Sequence, residues 1–213
     1  MPRPLRIALV ALLACTIVAS AEETDLPWFR HHHIQLGIGT GAAFEKDVFN
    51  VGGSAKTTAA RPEPAYDFAY AYNLNANWAV GLHLRGYSYG FHDYVSAEGG
   101  PARVKFTLDT YNQALRVQRF FTRDRLQPYA YVEAGLANGQ VEGEGDKLKY
   151  SGASVGGGAG ALLVLTRLLG VYADGVLSLG GARWEDKPFE NSASRNFDPS
   201  YWAVTIGAAL TIP

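Results

Sequence analysis

The chain has 213 residues, with 19 basic and 20 acidic side chains and a formal charge of −1. It lacks the basic surplus that binds nucleic acid, and its single cysteine, Cys15, excludes a module held together by internal disulfides. Glycine (24 residues) and aromatic residues (12 tyrosines, 10 phenylalanines and 4 tryptophans) are abundant, a combination that is typical of closed β-sheets.

The first residues have the order of a secretory signal peptide. Arg3 and Arg6 precede an apolar run, and small residues end the run at Ala21. We expect residues 1–21 to be removed, which takes away two basic residues and Cys15 and leaves a formal charge of −3. Acylation of Cys15 as a lipoprotein is the alternative, but the residues after Cys15 are apolar where a mature lipoprotein has a polar tether.

Apolar residues then alternate with polar or small ones, and a period of two predicts β-strands. In the first half of the chain the predicted strands are 33–44, 65–74, 78–91 and 105–121, with the turn NLNAN joining the second and third as a hairpin. Leu108 and Leu115 differ in parity within the fourth strand. We expect a β-bulge near Asp109 to Tyr111 to bring them to one face.

The second half continues the pattern with predicted strands at 128–141, 148–165, 171–184 and 201–212. The strand at 148–165 contains SGASVGGGAGA, and so many glycines predict that another surface packs closely against it. The last strand is the most regular, because its apolar residues from Trp202 to Ile212 share one face.

The connections alternate in length. Those after strands two, four and six are short (NAN, TRDRLQ, TRLLG), whereas those after strands one, three, five and seven are long and polar. An even number of strands with short turns at one end and long loops at the other is typical of a bacterial outer-membrane barrel, with the short turns in the periplasm. We therefore predict a periplasmic segment at 22–32 and a barrel domain at 33–213.

Aromatic residues fall near the strand ends and aliphatic residues near the strand middles, as expected for the two membrane interfaces. The predicted interface aromatics are Tyr72, Trp78, Tyr129, Trp184 and Trp202. A soluble lipocalin-like binder is an alternative, and it would require an apolar interior and a polar exterior.

Three stretches carry a family resemblance: YNLNANWAVGLHLRGYSY, RLQPYAYVEAGLA at 125–137, and the final alternating strand. With them the chain resembles the small OmpA/OmpX-like outer-membrane barrels over about residues 32–213. The resemblance implies an all-β fold, an eight-stranded antiparallel up-and-down transmembrane β-barrel in a Gram-negative outer membrane. Such barrels usually end in an aromatic residue, whereas this chain ends in Ile212 and Pro213.

The inward faces of the strands are polar. If the apolar residues face lipid, six polar side chains point inward: Asp67, His83, Arg85, Arg116, Glu133 and Asp174. Eight strands enclose a space that side chains just fill, so a general diffusion pore is not expected. Because an unpaired charge in this space is costly, we predict a charge network that acts as the interior core.

Catalysis is the alternative for some of these residues. A lipid A-modifying barrel, either an acyl hydrolase or an acyltransferase, would need a His/Ser/acid set, but the spacing of His83 and Ser88 places them on opposite faces. A second set, His92, Asp93 and Ser96, falls in a predicted loop.

Metal binding has two weak candidates. The histidines at 31–33 are adjacent, so they point in opposite directions. The acidic loop with Glu142, Glu144 and Asp146 lacks the spacing of a calcium loop. We predict no catalytic residue, no cofactor and no metal.

The predicted function is non-enzymatic: envelope integrity, or surface interaction and adhesion through four long extracellular loops. The predicted partners are outer-membrane lipid and lipopolysaccharide, with a possible extracellular ligand at the loops and no nucleic acid. We expect a monomer.

Overall fold

The computed structural model describes residues 32–43, 63–97, 100–143, 146–185 and 196–212. The predicted signal peptide and most of the loop after the first strand lie outside these residues. In chain order the strands are β1 His32–Ala43, β2 Glu63–Asn73, β3 Trp78–Ala97, β4 Gly100–Phe120, β5 Leu126–Gly143, β6 Asp146–Val164, β7 Leu169–Trp184, β8 Asn196–Phe197 and β9 Tyr201–Ile212. The described ranges hold no helix with the length and hydropathy that a membrane crossing requires.

Eight long strands close into a barrel. Each long strand pairs antiparallel with its neighbour in the chain, and β1 pairs with β9 to complete the circle. The two-residue β8, which was not predicted, pairs with the end of β7 at Ala182 and Arg183. The prediction of an eight-stranded antiparallel up-and-down barrel is confirmed. We call the interior that these strands enclose the lumen.

The outer wall is apolar. Large apolar side chains are exposed on alternate positions of every long strand, and we call this surface the apolar belt; it includes Leu36, Ile38, Leu82, Leu84, Leu115, Val132, Leu136, Val155, Leu177, Leu179, Val204 and Ile206. The positions between them are buried, and they combine polar and charged residues with small and aromatic ones. This arrangement is the inverse of a lipocalin, so the soluble alternative is wrong.

The predicted bulge in β4 is also wrong. The register between β3 and β4 runs without a shift from Trp78 opposite Arg119 to Ala97 opposite Gly100, and that between β4 and β5 is equally regular. Leu108 is fully buried in the lumen, whereas Leu115 is exposed outside. The parity changes because this barrel has apolar residues on both faces, not because the strand is interrupted.

The two ends of the barrel differ in construction. At the end that we call the turn end, connections of four or five residues lie at 74–77, 121–125 and 165–168. In the first of these turns the Asn75 side-chain oxygen accepts hydrogen bonds from the backbone N–H groups of Asn77 (2.8 Å) and Trp78 (3.0 Å). An Asn that caps its own turn in this way fixes the hairpin locally.

At the opposite end, which we call the loop end, β3 and β4 extend beyond their neighbours. Residues from 88 to 97 pair with β4 and have no pairing with β2, whose last pair with β3 is Ala65 opposite Tyr87. The predicted loop between the third and fourth strands is therefore mostly strand. The predicted acidic loop is likewise short, because Gly143 already pairs with Asp146.

Candidate functional site: the charged interior of the barrel

His83 lies near the centre of the lumen with a carboxylate on each side. Its Nε2 is 2.5 Å from Asp67 Oδ1 and its Nδ1 is 2.7 Å from Glu133 Oε2. His83 therefore links Asp67 on β2 to Glu133 on β5. Arg116 Nη2 is 2.8 Å and 3.0 Å from the two ring nitrogens.

Arg85 joins Asp67 to Asp174. Its Nε donates to Asp67 Oδ1 at 2.9 Å, and its Nη2 lies 2.7 Å from the same oxygen. The same Nη2 is 3.5 Å from Asp174 Oδ1. The guanidinium thus bridges carboxylates on β2 and β7, which are not neighbours in the barrel.

Arg116 occupies the corresponding position on the other side of His83. Its Nη2 donates to Glu133 Oε2 at 3.3 Å, and its Nη1 is 3.8 Å from Asp174 Oδ2. Its guanidinium carbon lies 3.7 Å from the centre of the Tyr131 ring. Stacking on an aromatic face in a desolvated site stabilises a cation.

Hydroxyl groups donate further hydrogen bonds to the carboxylates of Asp67 and Asp174. Tyr172 donates to Asp67 Oδ2 at 2.8 Å, and Thr205 donates to Asp174 Oδ1 at 2.8 Å. A longer contact of 3.5 Å runs from the Tyr129 hydroxyl to Asp174 Oδ2. These hydroxyls reduce the desolvation cost of the buried charges.

These side chains form one connected group of buried ion pairs. The structure brings together all six side chains that were predicted to point inward, and we call them the lumen cluster: Asp67, His83, Arg85, Arg116, Glu133 and Asp174. Each is at most 5% exposed. Arg85, Arg116 and His83 each lie between two carboxylates, a geometry that holds the surrounding strands together.

The glycines of β6 make room for this cluster. Tyr129, Tyr131 and Glu133 on β5 stand directly opposite the glycines at 160, 158 and 156. A Cβ added at Gly158 would lie 2.5 Å from the Tyr131 hydroxyl. Large side chains on β5 therefore fill the lumen above a stretch of β6 whose inward positions are glycine, which confirms the prediction of a closely packed surface on the glycine-rich strand.

Two of the predicted interface aromatics are wrong. Tyr129 is 1% exposed and Trp184 is 4% exposed, and both face the lumen. The lumen is wide enough to need aromatic rings as filling, and Trp184 packs edge-on against Tyr150 there, with ring centres 5.6 Å apart. Tyr72, Trp78 and Trp202 do lie on the outward face.

Three other aromatic residues near strand ends are also buried in the lumen: Tyr87, Phe120 and Tyr201. Near the loop end Tyr87 and Tyr201 stack with ring centres 4.3 Å apart. The membrane interfaces therefore carry fewer aromatic residues than their positions along the strands had indicated.

Arg123 closes the lumen at the turn end. It donates to the Ala76 carbonyl, to Asn73 Oδ1 at 3.2 Å and to Gln127 Oε1 at 3.4 Å, and its guanidinium carbon lies 3.8 Å from the centre of the Phe120 ring. Burial lowers the pKa of Arg123 to about 10, which leaves it charged at neutral pH. This arginine was not singled out from the sequence, because a turn arginine is usually solvated.

The catalytic alternatives gain no support from the geometry. His83 is buried against carboxylates, and Ser88 lies on the outward face, so the two are on opposite sides of β3. The backbone at His92, Asp93 and Ser96 belongs to β3, so placing these residues in a loop was wrong. Their side chains lie outside the described part of the structure.

The weaker metal candidates are also dispersed. His32 shares a hydrogen bond of 2.7 Å with the Tyr70 hydroxyl on the outward face, whereas His33 is buried inside, 3.2 Å from the Thr211 hydroxyl. Adjacent histidines therefore do point apart, as predicted; His31 lies outside the described residues. Across the ranges that the structure describes, no three His, Cys, Asp or Glu side chains are arranged to hold a metal ion.

The acidic hairpin tip is only partly described. Glu142 pairs with Lys147 at 3.4 Å, and both side chains are about half exposed. The side chains of Glu144 and Asp146 lie outside the described residues. The pair that is described is a solvated one.

Comparison with known proteins decides the family. The model of the outer membrane protein beta-barrel domain matches residues 7–176. The chain belongs to this family. An outer membrane protein beta-barrel domain locates the chain in the outer membrane, so the apolar belt is its lipid-facing surface. No curated protein sequence matches the chain.

Solved structures of the same architecture are similar to this barrel. The outer membrane protein OprG from Pseudomonas aeruginosa has 13% identity and a TM-score of 0.55, and the match covers 85% of this chain and 95% of that one. Neisserial surface protein A has 10% identity and a TM-score of 0.53, covering 85% and 97%. Similarity at these identities shows the fold alone.

Proposed function

We propose that this outer-membrane barrel is a non-enzymatic, non-conducting scaffold. It presents its loop end at the cell surface, where it serves envelope integrity or surface interaction. The observation that carries the proposal is the lumen cluster, a network of buried ion pairs across the middle of the barrel. An ion would have to separate these pairs to pass, and breaking a buried pair is strongly unfavourable.

Among the described residues, the polar groups of the lumen cluster mainly bind one another. The carboxylates of Asp67 and Glu133 contact His83. The nearby hydroxyls of Tyr172 and Thr205 donate hydrogen bonds to carboxylates. A nucleophile needs a free base within hydrogen-bond reach. The cluster is therefore structural in the proposed function.

The proposed orientation places the turn end in the periplasm. Short turns at that end, and a β3–β4 hairpin that extends beyond the neighbouring strands at the other, match the asymmetry of bacterial barrels. The surface that meets other cells or molecules would then be centred on this hairpin.

Conductance tests the closed lumen. Purified protein inserted in a planar lipid bilayer should show no stepwise current, whereas a variant with Tyr129→Ala and Tyr131→Ala should admit water and raise the conductance. Both proteins should first be shown to fold by their heat-dependent mobility on gels. Stable channels formed by the unaltered protein would overturn the proposal.

Cell experiments test the surface role and the absence of catalysis. A strain without the protein should become sensitive to detergent, lose attachment to surfaces, or both. The full chain should restore whichever property is lost. A version with a shortened β3–β4 hairpin should restore detergent resistance but not attachment. Lipid A from the two strains should have the same mass spectrum, and a change in its acyl number would show an enzyme instead.

A further inference from the structure

The outer wall carries an isolated charge in its apolar part. Among the strand residues whose side chains the structure describes, outward-facing Asp, Glu, Lys and Arg cluster toward the loop end, with one exception near the turn end. That exception is Arg119, which is exposed between the buried side chains of Gln118 and Phe120. It lies two residues before the turn at 121–125, at the edge of the apolar belt.

Two aromatic side chains flank this arginine. Trp78 stands directly opposite Arg119 on β3, and Phe121 follows at the start of the turn. The guanidinium carbon lies 5.6 Å from the Trp78 ring centre and 5.7 Å from the Phe121 ring centre. Tryptophan at such a position marks the boundary between lipid tails and headgroups. The guanidinium is therefore held at the level of the headgroups.

The charge of Arg119 has no protein partner in the described ranges. None of the ion pairs or hydrogen bonds formed there includes its side chain. Arg123, four residues later, differs because it turns inward and donates to three protein oxygens. An arginine at a membrane boundary extends toward the headgroups, where lipid phosphate can pair with its charge.

The surroundings favour an anion. The three short turns contain Arg123, Arg125 and Arg167 but a single acidic residue, Asp124. The three described turns together are therefore basic. A planar guanidinium binds phosphate through two parallel hydrogen bonds, and phospholipid phosphates lie at this depth of the membrane.

We propose that Arg119, framed by Trp78 and Phe121, binds the phosphate of a phospholipid in the leaflet at the turn end. The aromatic rings contact the part of the acyl chains that lies next to the headgroup, and the guanidinium binds the phosphate. In the orientation proposed above this is the periplasmic leaflet, but the site itself depends only on the barrel being in a membrane.

Lipid titration with native mass spectrometry tests the site. The folded, delipidated protein in nonionic detergent is titrated with dioleoyl-phosphatidylglycerol and with dioleoylglycerol, which has the same chains and no phosphate. We expect tighter binding of the phospholipid, and about a fivefold loss of this affinity in Arg119→Gln. Arg183→Gln, which alters an outward arginine at the loop end, is the matched control and should bind like the unaltered protein.

Two outcomes would overturn the proposal. Equal phospholipid affinity in Arg119→Gln and the unaltered protein would mean that Arg119 only stacks on its aromatic neighbours. Displacement of the lipid by excess inorganic phosphate would mean a general anion site instead of a lipid site. Conductance and surface attachment do not involve Arg119, so neither outcome bears on the proposed function.

Discussion

The interior of the barrel and its outer wall are made from the same strands, but they restrict the sequence differently. Inside, a carboxylate such as Asp67 accepts from three side chains at once, and its shape and charge are both fixed by neighbours. Outside, Leu177 is 60% exposed to the membrane and needs only to be apolar. The stability of this barrel therefore depends mainly on its interior contacts. Substitutions on the inward and outward faces should differ clearly in their effect on the free energy of unfolding.

The largest effect should come from removing one charge of the lumen cluster. Glu133→Ala leaves His83 and Arg116 without a shared anion, and breaking a buried pair costs about 3–5 kcal/mol. Glu142→Ala, on the same strand as Glu133, removes the exposed partner of Lys147. It should lower the free energy of unfolding by less than about 1 kcal/mol. Urea unfolding in lipid vesicles measures both. Similar losses would show that the cluster is not the interior core.

A smaller effect is expected when a single hydroxyl is removed. Tyr172→Phe deletes the donor to Asp67 Oδ2, and a hydrogen bond to a charged group is worth about 1.5–3 kcal/mol. Tyr66→Phe, at an outward position that is 63% exposed, is the control and should be nearly neutral. The same unfolding measurement applies. If the two variants are equally stable, the hydroxyl of Tyr172 contributes nothing to the network.

Adding a methyl group to a glycine of β6 should also affect stability differently on the inward and outward faces. Gly158→Ala places a methyl group against the Tyr131 hydroxyl, and overpacking costs about 1–3 kcal/mol. At the adjacent Gly157 an added Cβ would meet one backbone oxygen at 3.4 Å, so Gly157→Ala should be tolerated. Midpoints of thermal unfolding on gels compare them. Equal midpoints would contradict close packing over β6.

The smallest effect should be found on the outer wall. Leu177→Phe enlarges a side chain that only lipid surrounds, and stability should stay within about 0.5 kcal/mol. Val176→Phe, one residue away and 3% exposed, enlarges a lumen side chain and should be clearly destabilising. A stable Val176→Phe variant would reveal unused space inside the barrel.

The sequence alone predicted the strands and the six polar side chains of the lumen cluster, because a period of two assigns each side chain to one face. It did not predict the partners of each charge. That His83 lies between Asp67 and Glu133 depends on the register of four strands and on side-chain conformations, neither of which a single strand encodes. The length of the β3–β4 hairpin was missed for a related reason, since residues beyond the barrel need no apolar face.

The errors among the aromatic residues were avoidable. Glu133 was placed inside, and Tyr129 and Tyr131 share its parity on β5, so the same rule puts all three in the lumen. Trp184 shares the parity of Asp174 in the same way. Position along a strand was given more weight than parity, and the membrane interfaces therefore received residues that belong to the interior.

The lumen cluster has a consequence for assembly. Its members come from β2, β3, β4, β5 and β7, so neighbouring strands alone cannot balance the charges. Asp174 also accepts from Thr205 on β9, the strand that meets β1 at the seam. A sheet that is still open leaves some of these charges without partners, and such charges keep their water. Removal of water from the interior thus requires the last strand. Closure of the sheet between β1 and β9 is then the step that dehydrates the lumen and fixes the order of strands around the barrel.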